Sequence, residues 1–372
     1  MSRTAKVIRG IAAFIIGVVP WLILGLIIGH IPPLFGITHW FLNMLIWVGI
    51  FSTFFELQII IHEFGHIVGG KLSGYTFISA GGFGINFVKK DGKLHKVFNH
   101  DAVGTFSGEC LMMPPQPKNG EYPFILYILG GSFMNLIASA ISLAVFSFWL
   151  PNAWVLVMFA IAGLYLSISS IVPLNIDTPK NIDGRSLIIL ATSSAARRAR
   201  WVSSYIEMQT TQGGMRLRDI PEEQFDVLNN PDFTNQHNYI VSGLSGEYFD
   251  WLMDRQEFEK AKTYGEHLLE TDKKMLDIQR TEILCGLLYI ELIGECRKEE
   301  VERLYTKEVK SRTLTDTQYA YQKLFLRDDV AAAETLKGFN EHYVAYPFTN
   351  KIEGMRERME LVDCALSQRE TD

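Results

Sequence analysis

The feature that most constrains this chain is a run of 21 residues, Ile11 to Ile31, without a single Asp, Glu, Lys or Arg. A helix of that length crosses a hydrocarbon layer about 30 Å thick. It is too long for a signal-peptide core and no small-residue cleavage site follows, so a retained spanning helix is expected. Further apolar stretches run at about 40–68, 122–150 and 153–174. Pro32-Pro33 separates the first pair and Pro151-Asn152 the last. Connections this short make each pair antiparallel neighbours.

Charge divides the chain near Arg200. Residues 1–200 carry 14 Lys/Arg and 8 Asp/Glu, whereas 201–372 carry 21 and 33. All basic residues of the first half fall before the first stretch, between the second and third, or after the fourth. That places them on one side, which the positive-inside rule makes cytoplasmic. The expected location is a bacterial cell membrane, crossed four times, with both termini in the cytoplasm. The acidic balance, with no basic stripe carrying interleaved aromatics, argues against nucleic acid as a partner. Cys110, Cys285, Cys296 and Cys364 form no CxxC pair and read as structural thiols.

Two segments depart from the spanning pattern. In 76–106, Gly81, Gly82, Gly84, Gly92 and Gly104 punctuate an alternation at Phe83, Ile85 and Phe87, and Asp91-Gly92 signals a tight turn. A β-hairpin or small sheet at the membrane surface is expected there. In 201–372 the apolar period is helical. Phe258, Ala261, Tyr264 and Leu268 share one stripe, at a spacing like half of a tetratricopeptide-type hairpin. The expected architecture is therefore an all-α polytopic membrane core over 1–200 and an acidic, all-α cytosolic domain over 201–372. That domain would stand off an anionic leaflet and take a protein partner.

The chemistry concentrates at Ile61-His62-Glu63-Phe64-Gly65-His66. Residues four apart share a helix face, so two imidazoles can grip one ion while Glu63 takes a proton from its water. Zinc suits two imidazoles and a carboxylate, and it lowers the pKa of bound water to about 7. Ionisable groups within an apolar helix are costly, and three in five residues have little structural excuse. A third ligand is expected after the fourth stretch, on the same side. Asp177 and Asp183 both qualify there, and spacing alone does not separate them. Glu56 lies seven residues before Glu63, near the same stripe, where it would serve water access or bond a neighbouring helix.

With these residues the chain resembles the site-2 protease family of intramembrane zinc metalloproteases. That family carries HExxH in one core helix, a glycine-and-asparagine motif in the next and an Asn-xx-Pro-x-Pro-x-Leu-Asp-Gly motif in the third. His62, Glu63 and His66 match the first, and Gly131-Ser132-Phe133-Met134-Asn135 the second. Asn175 and Asp183-Gly184 match the third at its separation of eight. The departures are Ser132 for a common Pro, Thr178 and Pro179 in place of the usual prolines, Ile182 for Leu, and Gly70 for a frequent Ala. The resemblance covers roughly 40–190 and leaves out the acidic half.

It implies zinc on His62, His66 and Asp183, Glu63 as general base, and Asn135 and Asn175 as substrate-binding groups holding an unwound transmembrane protein or peptide. Helix–helix hydrogen bonding is the competing role for both asparagines. Gly130 and Gly131 are expected to serve close packing. Two other classes compete with this reading. A silent membrane scaffold recruiting partners through the cytosolic helices would not need all four of His62, Glu63, His66 and Asp183. A di-iron desaturase needs several histidine clusters, and this sequence has one.

Overall fold

A computed structural model describes residues 39–83, 85–98, 108–172, 182–229, 238–272, 275–343 and 348–371, with positions 25, 36 and 37. Of the expected span at 11–31, only position 25 is among them. The chain divides into two units, with the boundary between Thr192 and Ser193. The short segment 89–95 groups with the second unit.

Three helices of the first unit are long and apolar enough to cross a membrane: α1 (Trp40–Leu72), α2 (Ile125–Phe148) and α3 (Trp154–Ile171). At 1.5 Å per residue even the 18 residues of α3 reach about 27 Å. Their burial pattern is inverted relative to a water-soluble bundle. Ile60, Phe64, Phe133, Ile137 and Ile141 point outward, while Gln58, Ser132, Asn135, Ser139 and Ser167 are buried. In lipid, apolar side chains gain nothing by hiding, whereas polar groups must find partners inside. Ser132 and Ser170 bond through their hydroxyls (2.7 Å), and the Ser167 hydroxyl donates to the Ser132 carbonyl (3.2 Å), so polar contacts join α2 to α3. An apolar cluster of Trp47, Phe51, Met158 and Ala162 packs α1 against α3.

Glycines set the approach of α1 to α2. A Cβ on Gly65 would run into the Gly130 carbonyl, one on Gly69 into the Leu126 carbonyl, and one on Gly130 into the Gly65 carbonyl. Gly65 and Gly69 are four apart, the small-residue spacing that lets two backbones touch. The expected packing role of Gly130 is what the backbone requires.

After α1 the chain forms a four-stranded antiparallel sheet: β1 (Thr76–Gly82), β2 (Ile85–Lys90), β3 (Lys93–Phe98) and β4 (Gly108–Met113), in order β3-β2-β1-β4. The β2–β3 turn has both Asp91 and Gly92 at positive φ (50° and 76°), as the Asp-Gly signature demands. The small sheet expected over 76–106 is present, and it extends past that range by one strand. β4, with the sequence Gly-Glu-Cys-Leu-Met-Met, has no β-branched residue and so gave no strand signal. It pairs with β1 from Thr76 opposite Met113 to Gly82 opposite Gly108, with an irregularity between Phe77 and Ser79.

Helix α4 (Asp183–Thr192) completes the first unit. The second unit, from Ser193 onward, contains helices joined by turns and short loops, with no strand among the described residues. Its elements include α5 (Ser194–Thr211), α6 (Tyr239–Asp254), α7 (Phe258–Thr271) and α8 (Asp277–Ile293). Short helices α9 (Lys298–Leu304), α10 (Lys307–Arg312) and α11 (Thr315–Ala320) follow, then α12 (Asp329–Tyr343) and α13 (Thr349–Thr371). On α7, Ala261 and Leu268 are buried and Phe258 and Tyr264 half-buried, which is the expected stripe. Phe249 of α6 lies against Gly265 of α7 and Gly286 of α8, so one ring fills the junction of three helices.

Candidate metal centre

His62 and His66 project from the last third of α1, with ring centroids 4.8 Å apart. Both are buried (6% and 7% exposed). Each Nδ1 faces an oxygen: Oδ1 of Asn135 at 2.6 Å for His62, and the Tyr127 carbonyl at 2.8 Å for His66. A carbonyl only accepts, so His66 donates from Nδ1. Asn135 gives the same answer for His62, because its Nδ2 donates to the backbone carbonyl (2.8 Å) and Oε1 (2.6 Å) of Gln58. Its remaining oxygen must then accept. The amide of Gln58 is fixed in turn by donating to the Phe159 carbonyl at 3.1 Å. This chain of bonds sets the tautomer of both rings and leaves the two Nε2 lone pairs facing one point.

Asp183 meets that point from α4. Its Oδ2 is 2.9 Å from His62 Nε2 and 3.5 Å from His66 Nε2. Ligand atoms 2.0–2.1 Å from a tetrahedral ion stand about 3.3 Å apart, and the two distances bracket that value. Three lone pairs converging in this way, each imidazole braced through its second nitrogen, fit a divalent metal. Asp183 opens a helix rather than the tight turn its Asp-Gly pair suggests. Gly184 has no positive φ, and its lack of a side chain instead lets α4 press on the Ile171 carbonyl at the end of α3.

Glu63 is part-buried beside the two rings, and one ligand atom from each of His62, Glu63 and His66 lies within 4.8 Å of the others. Gly108, the first residue of β4, sits directly against its carboxyl group, leaving no room for a Cβ. β4 is tied to the site a second time by Tyr127, whose hydroxyl donates to the Cys110 carbonyl at 2.7 Å. The sheet therefore ends on the carboxylate expected to move protons.

The remaining expected residues divide clearly. Asn135 is fully buried and has its amide committed to His62 and Gln58, so it stands behind the metal site as a brace. Asn175 and Asp177 lie outside the described residues. Glu56 is half-buried on α1 and is not among the groups that converge. Gly131 gives the His62 ring its space, since a Cβ there would come 2.6 Å from Nε2. Sequence reasoning missed Gln58 and Tyr127. Gln58 carried a usable signal, a lone amide in an apolar helix four residues before His62. Tyr127 carried none, because it acts through its backbone carbonyl.

Comparison with protein-family models, with curated proteins and with solved structures gave no match to this chain.

Proposed function

We propose that this protein is an intramembrane zinc metalloprotease of site-2 protease type, cleaving a peptide bond of a membrane-embedded substrate near the cytoplasmic face. The observation that carries the reading is the convergence of His62, His66 and Asp183 on one point with Glu63 beside it. His62 and His66 supply neutral imidazoles, and Asp183 supplies the charge that favours a divalent ion. When bound, zinc polarises a carbonyl and acidifies water. Glu63 takes the proton of the attacking water and returns it to the leaving amine. The polar interior of α1–α3 keeps the hydrolytic site inside an apolar shell.

The sheet serves this chemistry. An unwound substrate has unpaired backbone groups, and an added strand along β4 would satisfy them while passing Glu63. Proline introduced into β4 is expected to lower cleavage and leave metal content unchanged. The reading also includes a fourth span at 11–31, both termini in the cytoplasm of a bacterial cell, and a second unit of tetratricopeptide type that receives a protein partner.

The deciding experiment compares membrane peptides in cells carrying the wild type or Glu63→Gln, with zinc measured on both purified proteins. The expected result is one zinc per chain in each, and substrate fragments only with the wild type. Fragments that persist with Glu63→Gln, or a wild type without stoichiometric zinc, would overturn it.

A further inference from the structure

Tyr127, near the start of α2, meets the metal centre twice and with different atoms. Its carbonyl accepts from His66 Nδ1 at 2.8 Å, and its hydroxyl donates to the Cys110 carbonyl of β4 at 2.7 Å. Two residues before Cys110, Gly108 sits against the Glu63 carboxyl group. One side chain therefore reaches from a histidine of the metal centre to the strand that walls Glu63. A tyrosine has only two side-chain torsions, so a packed ring holds its hydroxyl at a nearly fixed distance from its own backbone.

The ring is packed on several sides. Tyr127 is buried and stacks on Tyr75, with centroids 4.7 Å apart and planes 23° from parallel. Tyr75 meets Tyr122 edge-on at 6.4 Å, and the His66 ring lies 5.7 Å from Tyr127. Gly70 of α1 leaves the space for this packing. A Cβ there would come 3.1 Å from the Tyr127 ring at Cδ2 and run into Met112 Sδ of β4. Gly70 is one of the positions where the sequence departs from the pattern it resembles, which has a frequent Ala. The departure has a local reason: the Tyr127 ring and β4 occupy the volume an alanine methyl would take.

β4 needs such a hold. It is an edge strand, paired in the sheet with β1 alone, and that pairing is irregular between Phe77 and Ser79. The ladder to β1 does not fix how far β4 stands from α2. A strand that swung outward would take Gly108 off Glu63 and carry a substrate segment laid along it away from the metal centre. Reacting atoms must approach to about 3–3.5 Å, and a misplacement of about 1 Å costs on the order of 10²-fold in rate. Strand and substrate would move together, so the loss falls on turnover and not on binding.

We propose that Tyr127 is a positioning residue for cleavage. Its hydroxyl sets β4, and with it the bound substrate strand, in register with Glu63, while its carbonyl orients His66. The inference rests on the proteolytic reading above. It adds that strand placement and ligand orientation are set separately, by two groups of one residue.

The test uses the purified full chain in detergent and a synthetic copy of the membrane peptide that accumulates uncut in Glu63→Gln cells. Tyr127→Phe keeps the ring, its stacking and the backbone carbonyl, and removes only the tether. It should hold one zinc per chain, with amide hydrogen exchange raised over residues 108–113. Its kcat should fall about tenfold or more, with KM within about twofold of the wild type. Replacing Tyr127 by p-aminophenylalanine keeps a donor at the far end of the ring and should restore the rate, which a role confined to packing would not distinguish from Phe. Wild-type turnover in Tyr127→Phe, a raised KM at unchanged kcat, lost zinc, unchanged exchange over 108–113, or a donor-bearing replacement no faster than Phe would each overturn the inference and leave proteolysis standing. Absence of any accumulating peptide, or cleavage that persists in Glu63→Gln, would overturn the proteolytic reading and this inference with it.

Discussion

The two units bury polar groups for opposite reasons. In the first, amides, hydroxyls and imidazoles form the interior because the outer surface is apolar, and they lead inward to one point. In the second, apolar side chains form the interior, and most buried charges are matched in place. Arg216, 6% exposed at its side chain, bridges Asp254 of α6 and Glu357 of α13, and Arg358 of α13 pairs with Asp316. Buried charge is paired in one unit and gathered at a single point in the other. A buried ion pair costs most when one partner is removed, whereas a ligand set can lose a member and remain folded.

That contrast breaks first at the ligands. Asp183→Ala is expected to lower metal affinity by more than the roughly 10–100-fold typical of a supporting residue, with the second unit melting unchanged. Asp177→Ala should leave metal affinity near the wild-type value. Equilibrium dialysis against buffered zinc checks both. The structural counterpart is Arg216→Leu, which strands Asp254 and should cost the second unit about 3–5 kcal/mol in denaturant unfolding, with zinc content intact. If Arg216→Leu emptied the metal centre, the division of roles would be wrong.

The braces give a smaller effect. Asn135→Ala and Gln58→Ala should each weaken zinc binding by about 10–100-fold, and the double variant by less than the product, since both act on the single tautomer of His62. Products that multiply fully would show two separate roles and restore a substrate contact for Asn135.

The smallest effect is on the pH dependence of the second unit. Burial pushes the Glu247 carboxyl up to about 7 in the folded chain, against about 4 when unfolded. Between those values the unfolded chain releases protons that the folded chain keeps, so stability falls as pH rises from about 4 to about 7. The acids held down by basic partners, such as Glu291 and Glu357, lose their contribution only below their unfolded values, outside that window. The second unit should therefore melt higher at pH 5.5 than at pH 8, and Glu247→Gln should flatten the slope. Differential scanning fluorimetry of the full chain in detergent reads both.

Much of the site is legible in the sequence because its parts are covalently ordered. His62, Glu63 and His66 lie within one turn and a half of a helix, so their spacing along the chain is also their spacing in space. The three described spans were legible for a similar reason, since length and apolarity act locally. The Asp-Gly turn between β2 and β3 belongs with them. β4 did not, because a short strand of Met, Cys and Leu owes its state to the partner it pairs with.

The sequence by itself determined that this chain carries apolar spans, an acidic helical half and a paired-imidazole motif, because each is written in neighbouring residues. Only the tertiary structure decided that Asp183 reaches both imidazoles from 121 and 117 residues away and that Asn135 braces rather than faces outward. Those facts depend on how closely helices approach, and that distance is set by contacts such as Gly65 on Gly130 and Gly184 on Ile171, which join residues no local pattern connects.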